Sequence, residues 1–270
     1  MDVWIGGVPW ALLGVGLLLA LLISALGFKR SDWFISLGYG FSITALAVLF
    51  GLANLGSLGL LDVLQLVLLA GYGLRLALHL IQRERAASFG AELAASEDRS
   101  RRIQGGVKFA IWIGVSLLYV TMAGPTAFVL PVSESSAVQV LGVLLMAAGL
   151  ALEGVADAEK SAAKRERPGE LVTTGLYRWV RFPNYFGEMV FWLGHFVTGV
   201  ATYRSVAAWL IATVGLVCIQ LVMLGSARRL ELKQSERYSG DSFETYVATV
   251  PVLIPFVPLR TLKNLKIYLG

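Results

Sequence analysis

Long apolar runs alternate along the chain with polar connections, and most of the runs exceed the length of a core helix in a soluble fold. Inside a bilayer each backbone donor needs an acceptor in its own segment, so runs of about 20 apolar residues predict spanning helices. Seven are predicted: Val3–Phe28, Trp33–Asn54, Gly59–Gln82, Val107–Pro131, Ser136–Ala156, Asn184–Tyr203 and Ser205–Gly225. The first lacks a basic start and an obvious cleavage site and is too long for a signal peptide, so it is expected to remain in the mature protein. After the last run, Pro251, Pro255 and Pro258 break any further spanning helix and put the tail at the cytoplasmic interface, where 260–266 is basic enough to rest on anionic headgroups.

Basic residues orient the spans, because Lys and Arg are retained on the cytoplasmic side. Of the 23 Lys and Arg, 21 fall in 29–30, 83–108, 160–181 and 228–266, which are the first, third and fifth connections and the tail, with Lys108 at the start of the fourth span. This predicts an all-α integral membrane protein with its N-terminus outside and its C-terminus cytoplasmic. The long connections 83–106 and 157–183 then both face the cytoplasm, so a polar ligand is met from that side.

Composition agrees with lipid as the main solvent. The chain of 270 residues is 56% hydrophobic and 15% charged, with a mean hydropathy of +0.70. Soluble domains carry roughly 25% charged residues. The net charge of +5 sits between apolar runs, a pattern of topology rather than of nucleic-acid binding. Cys218 is alone, which excludes an internal disulfide and any two- or four-cysteine metal site. No metal site is expected, and no obligate protein partner is evident.

An ionisable group at membrane depth is costly unless paired or wet, so each one is a candidate for function. Tyr72, Arg75 and His79 share one face of the third span. Glu153 and Asp157 end the fifth, with Lys160 and Lys164 continuing the stripe. Glu188 lies one turn into the sixth. His195, deeper in that span, fits a helix-packing role better than a ligand role. Traced separately, three helices bring polar groups to one depth on the cytoplasmic side.

The most informative segment is Gly175-Leu-Tyr-Arg-Trp-Val-Arg-Phe-Pro-Asn-Tyr-Phe-Gly-Glu188. Arg178 and Arg181 are forked donors suited to phosphate or carboxylate oxygens. Tyr177, Trp179 and Tyr185 offer flat faces for a planar ring. Pro183 opens the next helix, whose N-terminus adds amide donors and a positive dipole end. This combination suggests an anionic cofactor with ring systems, although a positive-inside anchor with interfacial aromatics would account for part of it.

This segment resembles the steroid 5α-reductase C-terminal family and its bacterial steroid-dehydrogenase-like relatives, with the membrane sterol reductases as distant kin. Phe182 stands where the family usually has His. A second match is Asp157-x-x-Lys160-x-x-x-Lys164-x-x-Arg167-Pro168, and weaker ones are Arg229 with Tyr238 and Tyr246, and Tyr72-x-x-Arg75. On this resemblance residues 57–258 form a reductase-like core in a single membrane domain, preceded by a two-helix unit, 1–56, and followed by the basic tail, 259–270.

The resemblance implies an NADPH-dependent reduction of a carbon–carbon double bond conjugated to a carbonyl, in a lipophilic substrate such as a 3-oxo-Δ4-steroid. It places Asp157, Lys160, Lys164, Tyr177, Arg178, Arg181, Asn184, Tyr185 and Arg229 at the cofactor and Tyr72 and Glu188 at the substrate carbonyl. No Gly-x-Gly-x-x-Gly fingerprint lies between a strand and a helix, so helix ends and loops would hold the dinucleotide. Steroid 5α-reductases also carry an acid in an early span; here the first two spans offer only Asp32, at a helix start, which leaves another enone or enoyl lipid open as the substrate. Membrane lipids are the other expected partner, in a bacterial inner membrane or an endoplasmic-reticulum type of bilayer.

Isoprenylcysteine and phospholipid methyltransferases share the Gly-x-Tyr-x-x-x-Arg-x-Pro-x-Tyr-x-Gly pattern, making an S-adenosylmethionine-dependent methyltransferase the alternative. Lys160, Lys164, Arg167 and the Asn184–Glu188 ending favour a dinucleotide. A receptor or scaffold that keeps the fold without the chemistry is the third reading.

Overall fold

The computed structural model describes residues 5–85, 90–132 and 136–266, and every regular element among them is helical. In chain order these are α1 Trp10–Ser24, α2 Leu37–Ala53, α3 Leu60–Arg85, α4 Gly90–Arg102, α5 Gly105–Val129, α6 Ala137–Glu166, α7 Pro183–Thr198, α8 Val206–Arg237 and α9 Asp241–Thr249. Val3 and Trp4 of the first predicted span, and residues 267–270 of the tail, lie outside the described residues.

Among the described residues six helical segments are long and apolar enough to cross a membrane: Trp10–Phe28, Ser31–Ala53, Leu60–Arg85, Gly105–Val129, Ala137–Glu166 and Val206–Arg237. Their outward faces remain apolar, with Leu18 68%, Leu22 74%, Val67 62% and Leu210 59% exposed. Water would penalise such a surface, whereas acyl chains do not. The segment predicted as Asn184–Tyr203 behaves differently. Its helix, α7, has 16 residues and stops at Thr198, about 24 Å at the usual rise per residue. The stop has a local cause. Thr198 Oγ1 donates to the His195 carbonyl and Thr202 Oγ1 to that of Gly199. The Tyr203 ring sits so close to Gly199 that a Cβ there would lie 2.4 Å from it, and the Tyr203 hydroxyl donates to the Phe196 carbonyl at 2.7 Å.

Several ends carry the caps that the sequence supplies. Asp62 Oδ2 accepts from the Gly59 amide ahead of α3, Ser136 Oγ from the Gln139 amide in α6, and Ser205 Oγ from the Ala208 amide in α8. Pro183 occupies the first position of α7, where its missing N–H would have had no partner anyway.

Contacts divide the chain into two compact units. The first comprises 1–143 and 195–216. There α2 and α3 approach to backbone contact, since a Cβ on Gly40 would lie 2.7 Å from the Gly73 carbonyl oxygen and one on Gly73 2.4 Å from that of Gly40. Buried polar groups tie its helices: Ser24 to Ser116 at 2.8 Å, Trp112 Nε1 to the Leu21 carbonyl, Gln139 Nε2 to Asp62, and Gln65 Nε2 to Thr126, whose hydroxyl meets His195 Nε2 at 2.8 Å. Such bonds act as interhelical glue in lipid. The second unit comprises 144–194 and 217–270 and carries the Gly175–Glu188 segment.

Candidate functional site

In the second unit the end of α6 shapes the loop that follows it. Gly175 adopts φ +60°, and a Cβ there would lie 2.4 Å from the Glu159 carboxylate. Only glycine suits both conditions. The approach lets Glu159 Oε2 accept the Leu176 amide at 2.8 Å and start a short 3-10 turn, Gly175–Arg178. Lys164 closes the same loop, donating to the Tyr238 hydroxyl at 3.0 Å and to the Glu170 carbonyl.

Tyr177 points inward, packing with Ala156 and Val172 and donating its hydroxyl to the Ala156 carbonyl at 3.2 Å. Its own carbonyl accepts the Tyr246 hydroxyl at 2.7 Å. Burial holds both phenols well above the ordinary tyrosine range. The charge of Asp157 reinforces this at Tyr177, while Arg181 opposes it at Tyr246.

The two arginines of the segment have opposite fates. Arg178 is exposed, with its guanidinium 4.9 Å from the centre of the Trp179 ring, itself 51% exposed. Arg181 is 2% exposed. Its Nη2 donates to Glu231 Oε1 at 2.7 Å and to the Arg260 carbonyl at 2.8 Å, and its backbone amide donates to the Pro251 carbonyl at 2.9 Å. Glu231, 1% exposed, uses its other oxygen to accept the Leu262 amide at 2.7 Å. The fork that suits an external phosphate is thus engaged in holding the C-terminal tail, whose Val252, Leu253 and Leu262 pack with Phe182 and Ala227. Tyr185 joins that cluster, its ring centre 6.0 Å from that of Phe182.

Asp157, Lys160 and Asn184 are half-buried and Arg229 is exposed; Asp157 and Lys160 are already engaged within the protein. Glu188, 6% exposed, follows a backbone-to-backbone crossing of α6 and α7. A Cβ on Gly187 would lie 2.7 Å from the Glu153 amide, and one on Gly149 2.4 Å from the Phe191 amide. Glu153, 4% exposed, is therefore carried on α6 at the same crossing. Two buried carboxyl groups are carried on these closely apposed helices, and neither is without a partner in the protein.

Tyr72 belongs to the first unit and is fully buried. Its hydroxyl lies 2.8 Å from that of Tyr39, 6% exposed on α2. The Tyr39 ring stacks on Tyr119 at 5.4 Å, and the Tyr119 hydroxyl donates to the Phe34 carbonyl at 2.5 Å. Tyr39 is the residue that reasoning from sequence missed. A search of the early spans for acids passes over a phenol, and only the Gly38 and Gly40 around it hint at a close approach there. Arg75 and His79 follow Tyr72 along α3, half-buried and engaged.

The donor set can be tested against a dinucleotide. Arg178, Arg229 and Lys160 supply cations, Trp179 a stacking face, and Asn184 the start of α7, so the chemistry fits an anionic cofactor with rings. Tyr177, Lys164 and Arg181 are spent on internal bonds and shape the loop instead. Among the described residues no cluster of three His, Cys, Asp or Glu side chains could hold a metal ion.

Comparison with known proteins adds a family but no chemistry. A stretch of 66 residues is 39% identical to an uncharacterized protein, C594.04c, of Schizosaccharomyces pombe, covering 24% of this chain and 18% of that one. The chain thus spans less than a fifth of that relative's length. No solved structure matches it. A match over residues 22–250 shows that the chain belongs to the family described as "Protein of unknown function (DUF1295)".

Proposed function

We propose that this protein is a membrane-embedded, NADPH-dependent reductase of a carbon–carbon double bond conjugated to a carbonyl in a lipophilic substrate, a 3-oxo-Δ4-steroid or a similar enone lipid. The observation that carries the reading is Glu188: a carboxyl group 6% exposed, on the helix that the Arg178–Asn184 loop leads into, next to the glycine crossing at Gly187 that brings the α6 and α7 backbones into contact. Positive-inside anchoring needs no such acid. In this reading α7 is also a span, the sixth of seven, the N-terminus lies outside, and the loop and C-terminus face the cytoplasm of a bacterial inner or endoplasmic-type membrane.

Arg178, Arg229, Lys160 and Asn184 would hold the dinucleotide, with Trp179 against a ring. Asp157 and Tyr185 flank them, and Tyr177, Lys164 and Arg181 keep the loop in shape. When bound, NADPH supplies a hydride. The chain's part is electrostatic. As an enone accepts hydride at its β-carbon, negative charge moves to the carbonyl oxygen, and donors already in place there lower the barrier. Tyr72 donates from its hydroxyl, with Tyr39 fixing its direction at 2.8 Å. Glu188 is the second polar group of the reaction, acting either as a protonated donor or as an ionised acceptor.

Thermal stability in detergent with NADPH or with S-adenosylmethionine tests the cofactor. NADPH at about 100 times its dissociation constant should stabilise the protein by about 2.7 kcal/mol. Arg178→Ala should lose that shift without lowering the unliganded midpoint. Tyr72→Phe and Glu188→Gln should keep the shift while slowing reduction of a 3-oxo-Δ4-steroid by about a hundredfold, on the scale of a lost transition-state donor. Stabilisation by S-adenosylmethionine alone would replace this reading with the methyltransferase.

A further inference from the structure

The chain carries an apolar surface outside all six candidate spans, and it lies in the second unit. Ile254 is 37% exposed, Phe256 84%, Val257 42% and Leu259 36%, with Trp179 beside them, its ring centre 6.2 Å from that of Phe256. Among the described residues Phe256 is the sole non-glycine with positive φ, at +65°. A bulky residue enters that region at a cost and persists there only where its surroundings hold it. Here a neighbouring bond does so: the Val252 amide donates to the Leu259 carbonyl at 2.9 Å, pinching 252–259 into a closed loop. The result is a phenyl ring presented outward at the tip, the reverse of what water favours.

Depth follows from packing within the same unit. Val252, Leu253 and Leu262 pack with Ala227, Leu224 and Leu230 of α8. That is where the apolar run of a candidate span gives way to Arg228 and Arg229. The loop therefore lies at the level where α8 leaves hydrocarbon. The charge around it is basic: Arg178 over the Trp179 ring, and Lys263 and Lys266, both exposed, on the chain just beyond.

We propose that loop 254–259 is an interfacial anchor, seating Phe256 among the acyl carbonyls of a bilayer while Lys263 and Lys266 meet anionic headgroups. Aromatic rings and cations at one level are what an interfacial layer takes up. The loop is joined to Arg181 through the Pro251 and Arg260 carbonyls, so its seat in the lipid also steadies the segment that carries Arg178. The anchor does not depend on the reaction proposed above.

Full-length chain with Cys218→Ser and one new cysteine, at Phe256 or at the exposed Glu236 as control, tests this after labelling with NBD. Glu236 lies nine residues beyond Ala227 on α8, about 14 Å further from the bilayer at the helical rise. With one chain per phosphatidylcholine nanodisc containing phosphatidylglycerol and a lipid spin-labelled near its headgroup, the label at 256 should be quenched about threefold more than at 236. Omitting phosphatidylglycerol, or combining Lys263→Gln with Lys266→Gln, should reduce that quenching about twofold. Equal quenching at 256 and 236 overturns the anchor. Indifference to phosphatidylglycerol overturns its preference for anionic lipid. Shielding of 256 only when two chains share a disc assigns the patch to a second copy and overturns the lipid reading.

Discussion

Breaking the Arg181–Glu231 pair should destabilise the second unit more than any surface change can. Each side chain is 1% exposed, and they meet at 2.7 Å. Removing one partner leaves a charge in a place water does not reach, at a cost of about 3–5 kcal/mol. Glu231→Ala also strands the Leu262 amide and should fall at the upper end of that range. Glu231→Gln keeps an oxygen for one N–H and should cost about half as much. The informative variant is the double one, Arg181→Met with Glu231→Leu. It removes both charges and adds apolar volume beside the cluster of Phe182, Val252, Leu253 and Leu262. What remains is an Arg260 carbonyl and a Leu262 amide with fewer partners, about 1–3 kcal/mol. The double variant should therefore be more stable than either single one, in equilibrium unfolding with SDS from mild detergent, followed by circular dichroism. If instead the two single costs simply add, or each is under about 1 kcal/mol as for a solvated pair, the buried clamp is refuted.

Three further perturbations test other parts. Gly187→Val drives a side chain into the Glu153 amide, 2.7 Å from where the Cβ would be, and should cost at least about 1–3 kcal/mol, whereas Gly114→Ala, with open space around it, should be neutral or slightly stabilising; equal midpoints for the two would contradict the close crossing of α6 and α7. Gly175→Ala combines φ +60° with a Cβ 2.4 Å from the Glu159 carboxylate and should lower the thermal midpoint by more than the left-handed conformation alone explains, about 1–2 kcal/mol; a wild-type midpoint would show that the loop relaxes freely. Above pH about 10 the unfolded state releases tyrosine protons while Tyr177 and Tyr246, raised by burial, keep theirs, so the folded state binds more protons and stability falls as pH rises, by up to about 1.4 kcal/mol per pH unit for each. Tyr246→Phe should flatten that slope in denaturation at pH 9 to 11, and an unchanged slope would mean that its phenol is wet.

What could be read along the chain is what depends on neighbours along the chain. Backbone hydrogen bonds in lipid must close within a segment, so the length of an apolar run is enough to predict a helix, and six of the expected spans follow from that. The caps at Asp62, Ser136 and Ser205 and the proline opening α7 are equally local, each spanning three residues or fewer. The helix expected to run to Tyr203 stops at Thr198 because the turn there is set by Tyr203 folding back onto Phe196 and Phe128, a contact with no periodic signature.

The site shows the same boundary. Arg178 and Arg181 are one residue type three positions apart, and nothing near them tells which one meets solvent. That is settled by Glu231, 50 residues later, and by the Arg260 carbonyl, 79 residues later, both of which hold Arg181. Tyr39 gained its place beside Tyr72 because Gly40 and Gly73 let α2 and α3 touch, and Gly149 and Gly187 let the backbones of α6 and α7 touch near Glu153. Sequence alone determined that the chain is helical, rich in spans, and furnished with cations, aromatics and acids in one segment. Burial and pairing belonged to the tertiary structure, since whether a polar group is wet or bonded is decided by residues the chain brings back from far away.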